Sequence, residues 1–432
     1  MDKAETPAPT RLRAWLLVIP LILLSAYFVW GISSVPFHPD ESTQFYNSSD
    51  FELLFTNPLS MAWSPDRADD LHMHYRQLDA PFTRYLLGLG RWLAGKSALP
   101  VDWDWSKTWE ENRLAGALPD PGLLFAGRLA ITLLLPLSVC LLYLIGSNLG
   151  GAPTGVLAAG LLGLNALVLL HNRRAMAEGA LTLGILFAMW TFLQANRRPW
   201  LAGLGMALAF AAKQSALALL PVGLLAVAWP PSGSEGRLRR AASGLAQYLG
   251  VFILVTLALN PLLWRSPIQA SKIAWEQRQD LLQRQVADTQ RLAPEHVLDS
   301  PGKRILVLVA NLYLAPPAFA EVGNYQDETA PAEAAYLAIP GHNLLRNLIG
   351  AGLFMVLTLF GLATALLAIP KTGAARRKTI LLLLSATLLQ ALILILAVPL
   401  PWQRYVMPLL PFVCLWSAYA IGGRLGKKGS RE

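Results

Sequence analysis

The sequence predicts an all-α membrane protein of about ten transmembrane helices, with two large extracytoplasmic loops that contain amphipathic helices. Three observations predict this. Of the 432 residues, 54% are apolar and 15% are Asp, Glu, Lys or Arg, where soluble domains carry roughly 25% charged residues. The apolar residues arrive in blocks of about twenty, the length that spans a hydrocarbon layer about 30 Å thick at 1.5 Å per residue. Basic residues gather in alternate short connections, as orientation in a membrane requires.

In chain order, the spans fall near 14–34, 122–146, 153–171, 179–195, 201–213, 216–229, 244–263, 347–369, 379–398 and 405–423. The first is expected to remain as an anchor, because its apolar run is long and Val35, Pro36, Phe37 and His38 offer no small-residue cleavage site. Segment 201–229 decides the topology. As one helix its 29 residues would measure about 43 Å, well beyond the layer. One crossing there would also place Arg237, Arg239, Arg240, Lys371, Arg376, Arg377 and Lys378 opposite Arg11 and Arg13, against the positive-inside rule. Two short helices satisfy both constraints.

The formal charge of +9 then resolves by side. Sixteen of the 36 Lys and Arg lie in the short cytoplasmic segments, with only Asp2, Glu5, Glu235 and Glu432 as acids, so that side carries +12 and the remainder −3. The basic excess orients the chain, and no nucleic-acid partner is needed to explain it.

Two stretches remain outside, 36–121 and 265–346. In the first, Phe82, Tyr85, Leu86, Leu89, Trp92 and Leu93 recur at helical spacing with Arg84 and Arg91 between them, which predicts a helix on the membrane surface. Residues 271–292 predict a more polar helix; 305–319 are apolar, but Pro316 and Pro317 close the run early. Cys140 and Cys414 fall within apolar spans and read as buried thiols.

The sharpest chemical feature is Phe37-His38-Pro39-Asp40-Glu41, a carboxylate pair just beyond the first span. A carboxylate at the interface loses water, which tends to raise its pKa and suit it as a general base toward a hydroxyl. Arg128, Arg173, Arg174, Glu178, Lys213 and Arg404 lie near or within spans, all toward the outer face. Each singly is explained by snorkelling, and Arg128 by a structural pair with an acid. Together Arg173, Arg174, Lys213 and Arg404 suit an anion such as a lipid phosphate.

His72 and His74 with Asp40 and Glu41 are a weak candidate for a divalent metal, since His-x-His diverges on either a strand or a helix. Trp103, Trp105 and Trp109 suit sugar stacking and interfacial anchoring equally. There is no P-loop, dinucleotide fingerprint or Gly-x-Ser-x-Gly elbow, which argues against a nucleotide-driven pump or a hydrolase.

The motifs Asp40-Glu41, Asp79-Ala80-Pro81-Phe82-Thr83-Arg84-Tyr85-Leu86, Arg173-Arg174-Ala175-Met176-Ala177-Glu178, Gly203-Leu204-Gly205 to Lys213, and Trp402-Gln403-Arg404-Tyr405 resemble, in order and sidedness, the GT-C membrane glycosyltransferases. The branch resembled is that of the protein O-mannosyltransferases and aminoarabinose transferases, over 14–264 and the final hairpin. The resemblance implies a single GT-C-like transmembrane domain over 1–432 and an inverting enzyme. Such an enzyme moves a sugar from a polyprenyl-phosphate carrier to a hydroxyl of a glycan, lipid or protein at the extracytoplasmic face.

It implies Asp40 as base, with Glu41 beside it orienting the acceptor or capping the turn. Arg173, Arg174, Lys213 and Arg404 would hold the donor phosphate, and Glu178, Trp402, Tyr405, Tyr85 and His74 would line the substrate. Arg174 doubles the family's usual single arginine. The expected location is the prokaryotic plasma (inner) membrane, among its lipids, with both termini cytoplasmic. A transporter or flippase for a lipid-linked substrate is the alternative from another class, and predicts polar residues across the membrane depth. An O-antigen ligase type of enzyme would instead use a diphosphate carrier.

Overall fold

The computed structural model describes residues 11–67, 69–229, 236–320 and 325–428. Asp2, Glu5, Glu235 and Glu432 of the charge balance, and Asn324 of the second loop, lie outside the described residues. Among the described residues the chain is helical, with no strand. The helices are α1 (Arg11–Trp30), α2 (Pro39–Asn47), α3 (Asp50–Thr56), α4 (Leu71–Leu78), α5 (Pro81–Leu93), α6 (Trp109–Ala115), α7 (Pro121–Thr132), α8 (Leu134–Gly150), α9 (Ala152–Gly163) and α10 (Ala166–Asn172). They continue as α11 (Ala177–Leu193), α12 (Pro199–Ala212), α13 (Leu220–Ala228), α14 (Arg237–Leu259), α15 (Pro267–Leu292), α16 (Pro301–Val309), α17 (Gln326–Ala338), α18 (Leu348–Ala368), α19 (Ala374–Ala397) and α20 (Leu410–Lys428).

Every predicted span contains a helix, but length separates them. Pro121–Gly150, Leu238–Leu259, Leu348–Lys371 and Ala374–Ala397 are long and apolar enough to cross a membrane. Among the described residues two bent pairs bring that number to at most six; Ala177–Leu193, Pro199–Ala212, Gln214–Ala228 and Leu410–Gly423 are shorter apolar helices. Segment 201–229 is indeed two helices. α12 stops at Lys213, whose backbone is extended (φ −161°, ψ 136°), and a short 3₁₀ stretch leads into α13.

The 104° bend after α1 positions the stretch that follows it, 36–121. Val35 and His38 both precede a proline, which disfavours helical backbone, and both are extended in the structure. Pro39 then starts α2 at the position where its missing N–H costs nothing. Buried Asp50, beneath α2, is clamped by Arg76 of α4 and by Arg84 of α5, whose Nε is 3.3 Å away. Consequently α5 turns Arg84 and Arg91 inward and leaves Trp92 and Leu93 exposed. The charged face of α5 is thus turned into the protein and part of its apolar face outward.

The main core is apolar packing among α8, α9, α11, α12, α13, α19 and α20. A second cluster, built on Phe45, Leu87, Leu123, Ile131 and Ala180, fixes α2 against α5, α7 and α11. Gly127 of α7 is needed for that contact, because a Cβ there would lie 2.3 Å from the Phe45 ring. The apolar stretch 305–319 is not one long helix: α16 passes into a π-helical turn, Ala310–Leu314, that ends before Pro316.

Candidate active site

α2 opens with a capping box. The His38 Nδ1 accepts from the Asp40 amide at 3.1 Å, and Glu41 Oε2 accepts from the His38 amide at 3.1 Å. Adjacent helical residues project about 100° apart, so the two carboxylates of the motif part company. Glu41 is fully buried and accepts from Arg128 Nε (2.8 Å), Arg128 Nη2 (2.7 Å) and the Ala175 amide (2.8 Å). Arg128 donates onward to the carbonyls of Ile32, Val35 and Pro36. Glu41 therefore ties α1, α2, α7 and the turn before α11 together, and of the two roles expected for it, the geometry is that of the cap.

Asp40 remains 30% exposed and forms an ion pair with Arg404. Burial alone would raise its carboxyl; the charges of Arg404, His38 and Lys213 outweigh that and hold it at about 2. This corrects the sequence reading of an upward shift, which counted desolvation without a guanidinium 364 positions away. Arg404 lies in a 3₁₀ turn between α19 and α20, its guanidinium carbon 4.9 Å from the Trp402 ring centre, and Trp402 stacks on Tyr405 at 5.4 Å. Lys213, at the end of α12, donates to buried Glu178 of α11 at 2.6 Å. The break of α12 thus delivers a cation to the same region.

The paired arginines diverge. Arg173 is fully buried and donates to the carbonyls of Phe28 (3.1 Å) and Tyr27 (2.8 Å), with His342 Nε2 at 2.8 Å. Its guanidinium fills the space where a Cβ at Gly31 would fall. Those contacts fasten α1 to the second loop. Arg174 turns the other way, donating to the Phe319 carbonyl at 3.0 Å while its charge acts on His38 and His171.

Tyr85 lies beside the Asp50–Arg84 pair. His74 is half-buried against Tyr75, with Arg284 of α15 as its charged neighbour; burial and that charge lower its pKa. His72 instead stacks flat on Tyr46 at 4.0 Å. The two histidines do not converge with the acids, and among the described residues no three His, Cys, Asp or Glu group as metal ligands would.

Two residues had no role of their own in the sequence reading, Asp79 standing there only within its motif. Asp79 accepts from Gln44 Nε2 at 3.2 Å, and Gln44 is one helical turn beyond Asp40 on the same face of α2. Burial raises the Asp79 carboxyl, opposed by Arg278 and Arg84 and assisted by Asp40. His171 is buried among Arg174, Glu178, Arg404 and Lys213, and neither ring nitrogen has a hydrogen bond among the described residues. A histidine in an otherwise apolar block was the available signal. Trp103 is neither an open platform nor an anchor: it is buried among Phe37, Trp105, Trp109 and Tyr325 at 5.6–6.4 Å, joining the stretches 36–121 and 265–346 beside His38.

Comparison with known proteins agrees with this architecture. Residues 71–262 match the family model described as dolichyl-phosphate-mannose-protein mannosyltransferase. The sequence matches no curated protein. The oligosaccharyltransferase AglB from Archaeoglobus fulgidus, solved with an inhibitory peptide and a dolichol-phosphate, superposes with a TM-score of 0.53 at 13% identity, over 95% of this chain and 50% of that one. Its apo form gives 0.52 at 13% identity, over 95% and 51%. The S. cerevisiae protein O-mannosyltransferase Pmt1–Pmt2 complex bound to the sugar donor, at 17% identity over 61% and 36%, has a TM-score of 0.41, too low to argue from. The chain spans about half the length of the oligosaccharyltransferase whose fold it shares. Family model and fold together establish that this chain resembles the GT-C polytopic membrane glycosyltransferases.

Proposed function

We propose that the protein is a GT-C-type glycosyltransferase that moves a sugar from a polyprenyl-phosphate carrier to an acceptor hydroxyl, with inversion, at the extracytoplasmic membrane face. The observation that carries this reading is the meeting of Asp40 with Arg404, close to Lys213 and Glu178, where the helices of the bundle end. A carboxylate accessible to solvent faces cations that a phosphate can claim. AglB was solved with a dolichol-phosphate, and a lipid-borne donor of that chemistry needs a membrane scaffold and no nucleotide motif.

On this reading the acceptor oxygen attacks the anomeric carbon while its proton passes to Asp40. The bond from that carbon to the phosphate oxygen breaks, and the charge left on the lipid phosphate is met by Arg404, Lys213 and Arg174. Arg173 is left to its carbonyl contacts. Tyr405, Trp402, His74 and Tyr85 stay proposals for substrate contact, the first two favoured by their place beside Arg404. The charge balance supports ten crossings, the placement of 36–121 and 265–346 outside, and cytoplasmic termini; a prokaryotic plasma (inner) membrane is part of the same proposal.

Arg404→Ala is expected to raise the donor KM about 10- to 100-fold, the worth of a hydrogen bond to a charged group. Arg404→Lys should recover only part of it, since the fork is lost. Titration of purified protein with a polyprenyl-phosphate sugar checks both; unchanged KM and rate would make Arg404 structural. Full turnover after dialysis against a chelator is expected too, because His72 and His74 diverge. The decisive experiment for the reading as a whole is assay of the purified chain against a panel of polyprenyl-phosphate sugars, with mass spectrometry of the product.

A further inference from the structure

A cavity of about 740 Å³ opens at the other end of the bundle. From Glu178 to Leu193, which lines it, α11 rises over 15 residues, about 22 Å, so the cavity is separate from Asp40. Its walls carry Asn148, Asn196, Arg197, Arg376, Lys378 and Thr379, and no carboxylate lines it among the described residues. The positive-inside rule explains why these residues lie on this side. It does not explain why they converge on a hollow.

The electrostatics there are uncompensated. Arg376 and Lys378 stand at the start of α19, where the helix dipole is already positive, and that first turn contains no acid. Lys378 is committed to structure: its Nζ is held by Asn196 Oδ1 (2.5 Å) and the Ala226 carbonyl (2.7 Å). Its charge is thereby fixed at the wall while its protons are engaged. Arg376 differs, since its buried Nε has no hydrogen-bond partner among the described residues and its Nη2 only reaches Tyr419 Oη at 3.4 Å. Arg197, also in the lining, has an exposed side chain that makes no hydrogen bond or ion pair among the described residues.

We propose that this cavity binds a phosphate-bearing anion, with Arg376 and Arg197 contacting the phosphate and Lys378 supplying fixed charge. The phosphate comes from an anionic phospholipid headgroup or from a free phosphate; basic hollows between transmembrane helices recognise this chemistry. The site is independent of the glycosyl-transfer reading and stands or falls without it.

The test uses the purified full chain, by native mass spectrometry, with phosphatidylglycerol and phosphatidylcholine as probes and inorganic phosphate as competitor. Selective retention of phosphatidylglycerol is expected. Arg197→Gln and Arg376→Gln should each weaken it about fivefold, the usual worth of one charge near an anionic lipid, whereas the corresponding Lys variants should keep most of it. Loss in the Gln variants without competition by phosphate identifies the headgroup as the source; competition by millimolar phosphate identifies free phosphate. No preference for phosphatidylglycerol together with no phosphate binding, or equal retention in a folded Arg197→Gln/Arg376→Gln double variant, overturns the proposal. Should the double variant fail to fold, Arg197→Gln alone, at an exposed side chain, decides the question.

Discussion

Asp40→Asn should lower transfer by about 10²- to 10⁴-fold, the range over which a positioned general base contributes, while the protein folds as before. The expectation of intact folding rests on geometry. The α2 cap uses the Asp40 amide and the Glu41 carboxylate, both unchanged in the variant. What Asn removes is the proton acceptor and the partner of Arg404.

The pH dependence adds a sharper test. A base works deprotonated, so its rate falls as pH drops through its pKa; at about 2 in the free protein, Asp40 imposes no loss on kcat/KM for the donor across the neutral range. A bound donor phosphate draws Arg404 away and adds a negative charge nearby, and both effects move the carboxyl upward. The acid limb of kcat, which reports the donor complex, should therefore lie at higher pH than that of kcat/KM. Asp40→Asn should abolish the difference. A purified Asn variant with near-normal turnover would remove Asp40 from the role of base.

The apolar helices were legible because burial in lipid writes itself into composition, and the break of 201–229 because one helix of that length does not fit the layer. Asp40 was legible as an acid placed just past a span. The pairings were not, because each depends on helices far apart in sequence meeting: Glu41 with Arg128 across 87 positions, Asp40 with Arg404 across 364. The separation of Arg173 from Arg174 rests on one turn whose direction no local pattern encodes. Asp79 stayed hidden for a related reason, since its link to the Asp40 face runs through Gln44, a residue without chemistry of its own.

The other large effect is expected at Arg128. Arg128→Met leaves Glu41 buried with no cation, and breaking a buried pair by removing one member costs about 3–5 kcal/mol. Three main-chain carbonyls in the turn after α1 lose the Arg128 donor in the same step. The variant should melt far below the parent in detergent, and a double variant, Glu41→Leu with Arg128→Met, should regain part of the loss because neither charge is left stranded. Glu41→Gln separates this structural role from a catalytic one. If Glu41 only holds the turn, that variant loses stability while its turnover per folded molecule, measured at low temperature, stays close to the parent's. If it melts like the parent and yet transfers no sugar, Glu41 acts on the acceptor, and the assignment of the motif's chemistry to Asp40 alone is wrong.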